Sequence, residues 1–529
     1  MKKVGMFLGF QPGDNLSIHG IGRLLAFILK ENHLQDNDNI ILFCPEWLRD
    51  SLKALLKDNK IPLNKFEIVS TEKIPLGVIV RNFIKKRKKE RKKVSKREKF
   101  IRNIKDRAAR FIHKVSTELF STSSWGILSI KLIAYLVVLV VISPLIFLLG
   151  ILYLVFRIVK LLKLSINKII RVTSISKKVT KAFTKGKDKI YLAVIDNELN
   201  KLVRLINKRK DVNVCYIPSM VWPQIKDLKC AKVVAAPDIV FYDFPTQFQG
   251  VDSIHRKIRK SVAVADHLIC YSDYVKDHHL IKQCGVKSSR ITVIKHANID
   301  MSQNIKVSKS IARYLNEIQN AKQVVKKYIR TYYNPGHVLY FSDLEKIDYV
   351  VYSSQYRPHK NIFNLIKAIK IVNRDFMSTI KLLITADIEN VQHIKQYIKD
   401  NHLENEIIVM HSISSELLAA INTLATCAVN PTLFEGGFPF TFSEAYSVGT
   451  PSIISDIPAV NCEIEDSNLK ENMLFDPYNP YSIAEKIVWA VDNAEMLYND
   501  QNVLYQKFGQ RDWRKVVNEY NDVFNKFLL

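Results

Sequence analysis

The residues best equipped for chemistry lie in NPTLFEGGFPFTFSEAYSVGTPSIISDIPA, Asn430 to Ala459. Two carboxylates, Glu435 and Glu444, bracket a loop that contains Gly436 and Gly437. A carboxylate there can accept paired hydrogen bonds from the hydroxyls of a sugar or a ribose. Backbone N–H groups from Gly437 through Phe438, Pro439 and Phe440 to Thr441, proline excepted, can face phosphate oxygens where a strand runs into a helix. The same residues also suit a plain glycine turn followed by a helix-start glutamate. A second stretch, SSQYRPHKNIFNLIKAI from Ser353, places Arg357 and Lys360 in a loop ahead of a helix. Cations at that position can hold a diphosphate and stabilise its charge as it leaves; a solvated basic loop is the bland alternative. A third, HGIGRLLAFI from His19, offers Gly20 and Gly22 for close backbone approach, although a lone G-x-G is a weak signal.

These loops need a scaffold, and the flanking pattern supplies one. Residues 1–75 alternate short apolar strands (VGMFLGF, NIILFC, FEIVS) with amphipathic helices (IGRLLAFILKE, EWLRDSLKALLKD). The alternation resumes near residue 190 with IYLAVI, a helix through NKLVRLINK, then VNVCYIP, KVVAAPDIV, HLICYS and ITVIKHA. A second series runs through DYVVYSSQ, IKLLITA, EIIVMHS, CAVNP, PSIIS and MLFDP. Short apolar strands alternating with helices predict parallel sheets covered on both faces. The fold expected is α/β, with two Rossmann-like domains facing a cleft. The divisions expected are residues 1–75 and 190–300 for the first domain, 76–189 for a basic insertion and 301–345 for a helical linker. Residues 346–510 form the second domain, and 511–529 a C-terminal helix.

A chain of 529 residues is too long for one core, and 47% hydrophobic with 25% charged residues excludes a disordered chain and a polytopic transporter. The seven cysteines are scattered without a C-x-x-C, which argues against a disulfide framework or zinc site and fits a reducing compartment. The N-terminus reads as a strand rather than a signal peptide.

The formal charge of +28 is concentrated. Residues 81–189 hold 29 Lys and Arg against five Asp and Glu, so the rest of the chain is nearly neutral. Inside that segment an uncharged run of 25 residues extends from Leu132 to Phe156, long enough for a membrane segment. Basic residues flank it on both sides, including KKRKKERKK from Lys85, whereas a single span should be asymmetric. Ser143-Pro144 divides the run into halves of about 20 Å as helix, short of a roughly 30 Å hydrocarbon core. A re-entrant or in-plane hairpin near residues 127–160 fits charge and length together. One complete span and a buried core hairpin are the alternatives. Strands on both sides that belong to one sheet require an even number of crossings or none. The basic arms would bind anionic lipid at about 1 kcal/mol per residue. Aromatic residues are sparse among the lysines, which disfavours nucleic acid.

Taken together, the three motifs resemble the retaining glycosyltransferases of family 4, with the GT-B fold. The resemblance covers residues 1–75 and 190–529 and is most specific from 350 to 463. His19 to Arg23 is similar to the family's Gly-Gly-Ile-Gly-Arg loop near the donor, with His in place of the first Gly. Glu435 and Glu444 resemble its paired glutamates, the first implied to contact the donor sugar and the second the nucleotide ribose. The loop ending in Lys360 resembles its Arg and Lys pair. PDIVFYDFP and ADHLICYSDYVKD resemble its acceptor-domain segments. The chain departs from the pattern in three places. Eight residues separate the glutamates where the family has seven, Gln355 falls at its phosphate arginine with Arg357 two positions on, and Pro237-Asp238 stands at its His-Asp.

The resemblance implies transfer of a sugar, with retention, from a nucleotide-diphosphate sugar to a lipid-linked or membrane-near glycan. Glu435, Lys360 and Arg357 would be catalytic, and Glu444, Gly436 to Thr441, Gly20 and Gly22 would bind the donor. No metal or other cofactor is implied, because the cations would neutralise the leaving diphosphate. The expected setting is the cytoplasmic face of the cell membrane, with anionic lipids as partners. The rival readings are a non-catalytic membrane-associated sugar-nucleotide-binding or scaffold protein, and a nucleic-acid-binding protein.

Overall fold

The computed structural model describes residues 2–16, 20–37, 39–83, 126, 129–131, 133, 135–136, 174–237, 239–248, 250–305, 313–333, 344–411 and 413–528. His19, Asp238, the basic run from Lys85 and the Ser143-Pro144 midpoint lie outside these residues, as does most of the 127–160 hairpin. The chain divides into two compact units, Lys73–Glu198 and the remainder, Met1–Glu72 with Leu199–Leu529.

The larger unit contains two all-parallel sheets. The first has seven strands: β1 (Lys3–Phe7), β2 (Ile40–Cys44), β3 (Glu67–Ser70), β4 (Val212–Ile217), β5 (Ala231–Ala236), β6 (His267–Cys270) and β7 (Ile291–Val293), in the order β3-β2-β1-β4-β5-β6-β7. The second has six: β8 (Tyr349–Tyr352), β9 (Lys381–Ile384), β10 (Ile407–Val409), β11 (Cys427–Asn430), β12 (Ser452–Ser455) and β13 (Leu474–Phe475), in the order β10-β9-β8-β11-β12-β13. Both are doubly wound. The order reverses beside β1 and β4 in one and beside β8 and β11 in the other, and such a reversal opens a crevice at the carboxyl ends of the strands.

Burial follows from this topology. Strand β2 is buried along its whole length, as a parallel strand covered on both faces must be. In β8, Val350 and Tyr352 pack into one core with Ile362, Leu365 and Ile369, while Tyr349 and Val351 pack into another with Leu417 and Ile421. That alternation is the two-residue period of a strand.

One segment differs from the expectation, and two expected helices show where they pack. Ile190–Ile195, read as a strand, lies within the helix Ser174–Lys208. No breaker separates IYLAVI from the helical stretch after it, so an apolar run of six was ambiguous by periodicity alone. The segment read as a linker holds the helix Arg313–Tyr332, whose Ala321, Val325 and Ile329 are buried in the core of the second sheet. The C-terminal helix Trp513–Asn525 returns to the first sheet. Trp513 stacks on Phe27 at 4.0 Å, and Tyr520 and Phe524 pack on Tyr216 of β4.

In the smaller unit, Arg81 lies 3.7 Å over the ring of Tyr191. Residues 76–83 are helical and leave Leu76, Ile79, Val80 and Phe83 exposed at one-stripe spacing. Among the described residues, no helix is long and apolar enough to cross a membrane.

Candidate functional site

The loops after β8 and β11 leave the second sheet at its reversal point, so Arg357, Lys360, Glu435 and Glu444 converge there by topology. The β8 loop ends in a short 3-10 turn, Pro358–Lys360, and Asn361 takes a left-handed conformation (φ 56°) before the helix Ile362–Arg374. The two loops are clipped together by the backbone. The His359 carbonyl accepts hydrogen bonds from the Leu433 N–H (2.8 Å) and the Thr432 hydroxyl (3.3 Å). The His359 ring is buried, and its pKa is pushed down to about 3 by desolvation, with Lys360 and Arg357 adding to the effect. It is therefore a neutral packing group. Lys360 donates to Glu435 at 2.5 Å, and both side chains are mostly covered. Arg357 is exposed at the mouth of the loop.

Glu444 sits one turn inside the helix Phe440–Tyr446, not at its start, and only 2% of it is exposed. A buried carboxylate requires a partner. That partner comes from the first sheet: Arg23, on the helix Gly20–Leu34 that follows β1, donates to Glu444 Oε1. The reversal points of the two sheets therefore meet through an ion pair. Arg23 ended the motif read from the sequence but was not among the site residues. Its distance of 421 positions from Glu444 leaves no local signal.

The glycines divide into different kinds. A Cβ at Gly22 would stand 1.9 Å from the Leu16 carbonyl oxygen, so only glycine lets the helix pack on the preceding loop. Nothing lies within 4 Å of the position a Cβ would take at Gly20, so packing does not require glycine there. A Cβ at Gly437 would meet the Tyr271 carbonyl oxygen at 3.1 Å, and the Gly436 carbonyl accepts from the Ser272 hydroxyl at 2.8 Å. The loop between the two glutamates thus rests on the end of β6.

Phe440 lies 4.9 Å from the His296 ring, and Phe438 packs on Phe442 and Phe508. Both line a crevice of about 140 Å³ shared with Tyr271, His296 and Arg511. His296, enclosed by rings, has its pKa pushed down to about 3, first by desolvation and then by Arg511.

A pair of carboxylates and a pair of cations at a doubly wound reversal point, with the first sheet's Arg23 bonded to one of the carboxylates, suits an anionic ligand that also carries hydroxyls. Residues 342–503 match the family described as glycosyl transferases group 1, and that match spans every residue of the β8 and β11 loops. Residues 342–503 are thus similar to a group 1 glycosyltransferase domain.

The O-antigen chain mannosyltransferase RfbU of Salmonella typhimurium is 23% identical to the chain over 227 residues, covering 43% of this chain and 52% of RfbU. The chain therefore spans about half the length of this relative. Anabaena HepE, solved with UDP and glucose, superposes with a TM-score of 0.57 at 11% identity, over 99% of this chain and 100% of HepE. HepE solved with UDP-glucose gives the same TM-score at 12% identity and the same coverage. At such identities the likeness establishes the fold alone. The two parallel-sheet domains match the fold of GT-B glycosyltransferase structures.

Proposed function

We propose that the protein is a hexosyltransferase that moves a sugar, with retention, from a nucleotide-diphosphate donor to a lipid-linked or membrane-near glycan. The observation that carries this reading is the pairing of both site carboxylates with cations, Glu435 with Lys360 and Glu444 with Arg23. A donor brings both complements at once. Its ribose and sugar hydroxyls are donors for Glu444 and Glu435, and its diphosphate is the anion for Arg23, Lys360 and Arg357. Exchange of internal ion pairs for ligand contacts avoids leaving a buried charge unpaired. As the bond to the sugar breaks, negative charge grows on the diphosphate, and cations held in place stabilise it without reorganisation. No protein nucleophile is assigned; the leaving phosphate takes the acceptor proton on the same face. HepE's bound UDP-glucose and the mannosyl activity named for RfbU indicate the donors to try first: UDP-glucose and nucleotide-activated mannose.

The membrane setting is supported by the uncharged run Leu132 to Phe156 with its basic flanks, and by the exposed stripe Leu76, Ile79, Val80 and Phe83. It places the acceptor at the cytoplasmic surface, with the 127–160 segment as a hairpin. Tags near residues 120 and 180 should then report the same face; opposite faces would replace the hairpin with one complete span. The catalytic reading is tested by incubating purified protein with each donor and a glycolipid extract. Transfer or donor hydrolysis is expected. Nucleotide binding with neither would favour the non-catalytic alternative.

A further inference from the structure

A third constellation lies outside the glutamate and lysine pairs. Asp243 ends the short helix Val240–Asp243 after β5, and His278 and His279 lie on the helical segment Val275–Gln283 after β6. That segment winds with π spacing, as the hydrogen bond from the Cys284 N–H to the His279 carbonyl (2.9 Å) shows. Adjacent residues of a regular helix point about 100° apart. Here both imidazoles reach one carboxylate. His279 Nε2 is 2.9 Å from Asp243 Oδ2, and His278 Nε2 is 3.7 Å from Asp243 Oδ1. Insertions of this kind concentrate at functional sites.

The three ligand atoms lie within 4.8 Å of one another. Ligand atoms around a tetrahedral zinc ion, each at about 2.0–2.1 Å, are roughly 3.3 Å apart, a spacing that small side-chain adjustments within this cluster reach. The rings are held in place: Tyr274 stacks on His278 at 5.0 Å, and His279 is fully buried and 5.5 Å from Phe434. Asp243 and His278 keep an open side, with side-chain exposures of 18% and 39%.

We propose that Asp243, His278 and His279 bind a divalent transition-metal ion, with zinc favoured by two nitrogen donors and one carboxylate. Three protein ligands leave a fourth position for water or a substrate oxygen. The site does not replace the cations at the diphosphate. It lies on the first-sheet side and pins the segments after β5 and β6 next to Phe434, the residue before Glu435. It stands independently of the proposed glycosyl transfer.

The test is to strip the full-length protein with chelator and titrate it with zinc chloride, with magnesium chloride in parallel. Zinc should be retained at one equivalent on equilibrium dialysis and raise the melting temperature by about 2–5 °C; magnesium should do neither. His278→Ala, at the more exposed ligand, should fold and lose both effects, and Asp243→Asn should weaken them. Absence of zinc retention would overturn the proposal. So would undiminished retention by His278→Ala, or an intense thiolate charge-transfer band with cobalt(II), because the ion would then sit on cysteines.

Discussion

The two reversal points in this molecule are built from opposite materials. At the second sheet, the loops after β8 and β11 present Lys360, Arg357, Glu435 and Glu444, held by backbone clips through His359. At the first sheet, the corresponding crevice is filled with aromatic rings. Phe10 and Phe7 pack on Trp222 at 5.1 and 5.7 Å, and the Trp47 indole donates to the Phe10 carbonyl at 3.0 Å. Among the described residues, the first sheet contributes Arg23 to the shared site. One fold used twice thus makes an electrostatic wall that can hold an anion and a packed wall that fixes where the opposing helix starts. Charge at the second wall should govern turnover and binding, and shape at the first should govern stability.

The strongest way to break this contrast is Lys360→Ala. It should lower turnover at saturating donor by about 2–4 kcal/mol, roughly thirty- to a thousand-fold, with little change in melting temperature. Near-normal turnover would reduce Lys360 to a solvated loop residue. At the opposite wall, Gly22→Ala forces a Cβ into the Leu16 carbonyl and should cost about 1–3 kcal/mol of stability, read by denaturant unfolding. Gly20→Ala, with open space, should be near neutral. Equal effects at the two glycines would remove the packing argument.

A pH dependence sharpens the interface between the walls. His296 and His359 have pKa values depressed from 6.5 to about 3, so the folded state keeps them neutral where the unfolded chain binds a proton. Their stabilisation is complete above about pH 6.5 and is lost progressively as pH falls toward 3, at up to about 1.4 kcal/mol per pH unit for each histidine. His296→Phe should flatten the stability profile in that window. An unchanged slope would mean that the ring is protonated within its aromatic enclosure.

Much of this was legible in the sequence because parallel sheets advertise themselves. Short apolar runs such as IILFC and SIIS, bounded by breakers and alternating with helices, fit strands buried on both faces. Spacing also put Lys360 and Glu435 at strand ends before any contact was known. What could not be read was long-range pairing. Glu444 looked like a helix-start residue, and its burial against Arg23 depends on how two sheets meet. The role of Gly22 was read as ligand approach, whereas its neighbour is the carbonyl of Leu16, six residues earlier. His278 and His279 give no joint signal in the sequence, because adjacent histidines on a regular helix diverge and π winding carries no simple sequence signature. The 76–189 segment was read from charge, hydropathy and the Ser143-Pro144 midpoint, and most of it lies outside the described residues.

The most direct measurement is isothermal titration of the full-length protein with UDP-glucose and with nucleotide-activated mannose, repeated on Glu444→Gln. The wild type should bind one of them at a single site. Glu444→Gln should bind it more weakly by about 1.5–3 kcal/mol, the loss of one charge-assisted hydrogen bond, while melting within a few degrees of wild type. Donor affinity unchanged in Glu444→Gln, with stability alone reduced, would contradict a donor site at the second sheet and leave the Arg23–Glu444 pair as a structural lock.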